Sequence, residues 1–60
     1  MGKIIELGYT NSLDNKGVIL TGECDEVFDD ISLAMDEAEA LSDGDNVYVW
    51  EDDEGYHVGW

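Results

Sequence analysis

Asp25–Leu41, DEVFDDISLAMDEAEAL, has the clearest helical periodicity in the chain, and how it is read decides the fold. Val27, Phe28, Ile31, Ala34, Met35, Ala38 and Leu41 recur at the 3.6-residue period and line up as one apolar stripe. Asp25 is the expected N-cap, and acids in the first turn suit the positive end of the helix dipole. Ser42-Asp43-Gly44-Asp45-Asn46 stops the run, with Gly44 as the expected C-terminal cap.

On the N-terminal side, Lys3–Thr10 (KIIELGYT) reads as a strand with a bulge at Gly8. Asn11–Gly17 is dense in turn residues, and Val18–Thr21 (VILT) reads as a second strand closing a hairpin on the first. On the C-terminal side, Val47–Trp50 and Tyr56–Trp60 read as a second hairpin around Glu51–Gly55, with Gly55 at the left-handed position of a turn-plus-bulge loop. That loop pairs Trp50 with Val58 and Tyr48 with Trp60, giving an aromatic row. The expected fold class is α+β: a single domain over residues 1–60, ββαββ, with one amphipathic helix packed on a small antiparallel sheet.

The charge is the second informative feature. Sixteen residues are Asp or Glu against two Lys or Arg, a formal net charge of −14. Like charges weaken a compact state, so an imbalance of this size reflects the surroundings or a partner. The 43 % apolar content separates the chain from simple disorder. The acidity excludes direct binding to DNA, RNA or anionic lipid, where Lys3 and Lys16 would be the only counterweights. No run has the length of a membrane span, and the apolar stretch after Lys3 is only Ile4-Ile5, so no signal peptide is expected. These features lead us to expect a cytoplasmic protein.

Nothing in the sequence reads as an active site, and no cofactor is expected. His57 is the lone histidine, placed on a strand as a surface or structural residue. Cys24 is the lone cysteine, expected as a small buried apolar residue. No serine sits in a nucleophile elbow, and no glycine loop cradles phosphate. Asp43 and Asp45 stand where the first and third ligands of an EF-hand loop would, with Glu54 at its end. Val47 and Tyr48, however, replace the fifth ligand and the required glycine. That leaves nonspecific divalent binding by Asp52-Asp53-Glu54 and no dedicated metal site.

Opposite the apolar stripe lie Asp25, Glu26, Asp29, Asp30, Asp36, Glu37 and Glu39. On one continuous helix they would give a charge per roughly 3 Å of axis. One strand of duplex DNA carries a charge per about 3.4 Å. An ordinary solvated helix intersperses cations to gain i,i+4 pairs. This one has none. Glu51, Asp52, Asp53 and Glu54 add four consecutive acids. Leu33 falls within the acidic face and reads either as an isolated exposed leucine or as an apolar anchor ringed by steering charges.

In size, charge and lack of an active site the chain resembles the small acidic nucleic-acid mimics of phages and mobile elements. That group includes anti-CRISPR proteins, anti-restriction proteins and inhibitors of DNA-repair enzymes. The resemblance is one of overall character; no motif carries it. It implies a phage protein evading host defence, with a CRISPR effector complex as the foremost target. The target's basic groove would be filled by Asp25, Glu26, Asp29, Asp30, Leu33, Asp36, Glu37 and the Glu51–Glu54 loop. Two other readings stand beside it: a halophile's acidic domain, and an acidic antitoxin or adaptor masking a basic protein. A homodimer through the aromatic sheet face is a further expectation.

Overall fold

The computed structural model describes residues 2–60. The element order is β1 (Ile4–Tyr9), a 3-10 turn (Asp14–Lys16), α1 (Ile31–Leu41), β2 (Val47–Asp52) and β3 (Gly55–Gly59). The fold is α+β, with a three-stranded sheet and one helix. It differs from the expected ββαββ antiparallel arrangement in two ways. β1 pairs with β2 in parallel, and Val18–Thr21 is not a strand.

The missing strand has a physical reason. Val18 donates its N–H to the Leu13 carbonyl and Gly17 closes the 3-10 turn in the left-handed region, so the chain leaves the sheet plane. Leu20 then packs over Gly59 beside the Trp50 ring, and Val18 is buried. These residues cover the sheet face opposite the helix instead of widening the sheet. Ile19 between them is left 89 % exposed.

β2 is the central strand, which accounts for its almost unbroken apolar sequence: both of its faces are covered. Val47 and Val49 lie with Val58, Ala34, Ala38 and Phe28 in the core on the helix side. The alanines let the helix come close to the sheet. Trp50 is buried on the other side and stacks on His57, ring centroids 5.4 Å apart. The expected apolar stripe is thus narrower than the sequence pattern: Val27 and Ile31 are exposed, and Met35 and Leu41 only flank the core. Cys24, too, is half-buried at the core's margin.

The helix begins at Ile31, not near Asp25. Its N-cap is Asp30, whose carboxylate accepts the Ser32 N–H at 2.8 Å. Residues before it are claimed by β3 instead. Cys24 donates to the Val58 carbonyl, and Phe28 exchanges both backbone hydrogen bonds with Tyr56. Four steps of chain from Cys24 to Phe28 run beside two steps of β3, so Asp25, Glu26 and Val27 bulge outward. A bulged, charged edge of this kind resists pairing with another sheet. At the other end Ser42, not Gly44, is the C-cap, its N–H bonded to the Ala38 carbonyl. Replacing the cap, Asp30→Ala, should cost about 1 kcal/mol, read as a lower urea midpoint with an unchanged slope.

The hairpin register is one residue off the expected one. Trp50 lies opposite His57, Tyr48 opposite Gly59 and Asp52 opposite Gly55, so the loop is only Asp53-Glu54. Asp52 fixes it by accepting the Glu54 N–H at 2.8 Å. Neither loop residue has a positive φ; Gly55 takes that role at +140°. A Cβ at Gly55 would also lie 2.7 Å from the Phe28 carbonyl oxygen, so glycine there serves both the turn and the Phe28–Tyr56 bridge. The bulge expected at Gly8 is present, where the β1–β2 register shifts.

Candidate functional site

None of the acidic side chains is buried; Glu37, Glu51 and Asp52 are half-exposed and the rest are open to solvent. The acids do not form the single helical track that the sequence suggests. Only Asp36, Glu37 and Glu39 ride on α1, Asp30 caps it, Asp25 and Glu26 belong to the bulged segment along β3, and Asp29 lies between the Phe28–Tyr56 bridge and the cap. The strand-like charge spacing derived for a continuous helix therefore does not hold.

A different juxtaposition replaces it. The Phe28–Tyr56 bridge sets the Asp25–Asp30 segment against the start of β3, and Val27 approaches the Gly55 position from the same side. Two acidic runs that are separate in sequence, Asp25–Asp30 and Glu51–Glu54, thus share one end of the molecule. The Tyr9 hydroxyl donates to the Asp53 carboxylate and ties the end of β1 to the same turn. That bond holds the Tyr9 proton and raises its pKa above the usual phenol value. Leu33 is 53 % exposed on α1, with Asp36 and Glu37 one turn further on. Asp29, on the same acidic face in the sequence reading, lies outside the helix.

His57 is buried, which corrects the surface alternative in its reading. Its Nε2 lies 2.8 Å from Asp52 Oδ1, its Nδ1 3.8 Å from Glu23 Oε2, and its ring lies against Trp50. The bond to His57, with a smaller contribution from the Glu54 N–H, holds the Asp52 carboxyl below its ordinary pKa of 3.8. A carboxylate with a depressed folded pKa stabilises the fold above its unfolded value, and that contribution is lost as pH falls through the folded value. The stability gap between the wild type and Asp52→Asn should therefore be open at neutral pH and close below pH 3.8, in thermal melts at each pH.

Among the described residues, Asp52, Glu54 and His57 offer metal-type donor atoms within 4.8 Å of one another. The Asp52 oxygen in this group already accepts from the Glu54 backbone N–H and binds His57, so the Asp52–His57 contact clamps the hairpin. It depends on the two-residue turn, which differs from the loop the sequence suggests. No helix among the described residues is long and apolar enough to cross a membrane. The aromatic sheet face expected to form a homodimer is partly covered by Leu20, which packs over Gly59 beside the Trp50 ring.

Two further groupings escaped the sequence reading altogether: Glu23 beside His57, and Glu6 near Glu51 on the helix side of the sheet. Both depend on pairings between distant segments. Against known protein families, curated proteins and solved structures, the chain finds no match.

Proposed function

We propose that this protein is a non-enzymatic inhibitor that occupies the basic nucleic-acid-binding surface of a host defence or DNA-processing complex in place of DNA. A CRISPR effector complex is the foremost target, met in the cytoplasm of the host cell, and a restriction or repair enzyme is the next. One observation supports this reading above the others. The acids stay at the surface, and among the described residues neither Lys3 nor Lys16 forms an ion pair with any of them. Their mutual repulsion is left for external cations to neutralise.

The contact surface we assign is the end where Asp25, Glu26, Asp29, Asp53 and Glu54 meet, continued along α1 by Asp36, Glu37 and Glu39. Leu33 serves as its apolar anchor. Asp30 and Asp52 lie within the surface but are committed to the helix cap and the His57 clamp.

A competition titration tests the proposal. Added to an effector complex carrying labelled target DNA, the protein should release the label. An adaptor or antitoxin would bind and leave the DNA in place. Circular dichroism in dilute buffer addresses the halophilic alternative, because a protein adapted to molar salt loses its fold when the Debye length grows well beyond about 3 Å. The inhibitor should keep its fold there.

A further inference from the structure

We infer that the notch between the N-terminal turn of α1 and the β1–β2 edge holds one long basic side chain, arginine above all, from the partner. This deepens the proposed function and rests on it. The notch has a volume of about 230 Å³ and opens to solvent among Glu6, Gly8, Ile31, Val49, Glu51 and Tyr56. Small-molecule sites typically have about 300–1,000 Å³, so the space suits one side chain better than a free ligand.

The walls match the two parts of an arginine. Ile31, Val49 and the Tyr56 ring offer apolar surface to its methylene stem, and a guanidinium rests well against an aromatic face. Glu6 and Glu51 line the same notch, and among the described residues neither has an ion-pair partner within the chain. The bulge at Gly8 leaves the β1 edge without a side chain, and a Cβ built there would meet nothing within 4 Å. Ile31, 38 % exposed, is an apolar residue left out of the core at this spot.

One force opposes a cation here. The first turn of a helix carries the positive end of its dipole, equivalent to roughly half a charge. Asp30 already caps that end, and with Asp29, Glu6 and Glu51 the local balance is strongly negative. Guanidinium is more weakly hydrated than ammonium, so it loses less on entering a half-dry notch.

The test uses argininamide and an oligoarginine peptide as probes, followed by amide and methyl NMR shifts in dilute buffer. Argininamide should move the signals of Ile31, Val49 and Tyr56. E6Q/E51Q should weaken its binding by about tenfold, while D43N/D45N, which removes the same charge outside the contact surface, changes it by less than about twofold. Ile31→Ser keeps the charge but removes an apolar wall, so it should weaken argininamide and leave oligoarginine binding intact. Equal weakening by both double variants, or shifts spread over the whole acidic surface, would overturn the notch. If oligoarginine binds while argininamide avoids the notch, only this inference falls. If the wild type binds neither probe, the inhibitor reading falls with it.

Discussion

Trp50→Ala is expected to leave the chain largely unfolded in dilute buffer. Trp50 sits on the central strand, 6 % exposed, stacked on His57 and lying close over Gly59. Truncating a buried aromatic to alanine costs about 3–5 kcal/mol. At about 0.05–0.15 kcal/mol per residue, a domain of this size has a total stability of only about 3–9 kcal/mol, and self-repulsion of the acids draws on it. The change also strips cover from His57, the buried partner of the half-exposed Asp52. Far-UV circular dichroism over a urea series reads the outcome. Trp60→Ala is the control, since Trp60 is 37 % exposed and lies beyond the last strand. It should cost only about 1 kcal/mol. A Trp50→Ala protein that folds with a comparably small loss would mean that the face opposite the helix contributes little to stability.

The second large effect concerns binding. Reversing Asp25, Glu26, Asp29 and Glu54 to lysine together should weaken the complex with the target by about a thousandfold or more, since close charge pairs across interfaces couple by about 1.5–7 kcal/mol each. The same variant should melt no earlier than the wild type. All four side chains are exposed, none of them caps the helix or clamps His57, and their removal relieves repulsion. Asp30 does not belong in such a set: reversing it would place a cation at the positive end of the helix dipole and remove the cap. Displacement titrations and thermal melts on the same samples separate the two effects. Binding retained within about tenfold would remove this end of the molecule from the interface.

How far the sequence reveals this fold differs by element. The helix from Ile31 onward is legible because Ala34, Met35, Ala38 and Leu41 keep its period. Its start is not, because Asp25, Asp29 and Asp30 are equally good caps by residue type. The decision is made by Cys24 and Phe28 bonding to β3, a contact between segments that local pattern does not encode. The final hairpin is legible as a hairpin, and Gly55 takes the positive φ expected of it. Its register turns on whether the loop is three residues, as pairing Trp50 with Val58 requires, or two, which the Asp52 carboxylate settles by accepting the Glu54 N–H. Val18-Ile19-Leu20 has strand composition but lies outside the sheet, with Val18 buried, Leu20 packed over Gly59 and Ile19 exposed, and β1 pairs in parallel with a strand beyond the helix. The acidic runs themselves can be read directly from the chain. Their meeting at the Phe28–Tyr56 bridge, and the placing of Glu6 near Glu51, depend on tertiary pairings.

Whether the surface carboxylates are matched to a partner's cations is read from the affinity for the complex whose DNA is displaced, followed as salt is raised. Paired charges predict tight binding in dilute buffer that weakens steeply and continuously as the Debye length falls from about 30 Å toward about 3 Å. An affinity that stays flat across that range would contradict it, because contacts that ignore salt are not made by these acids.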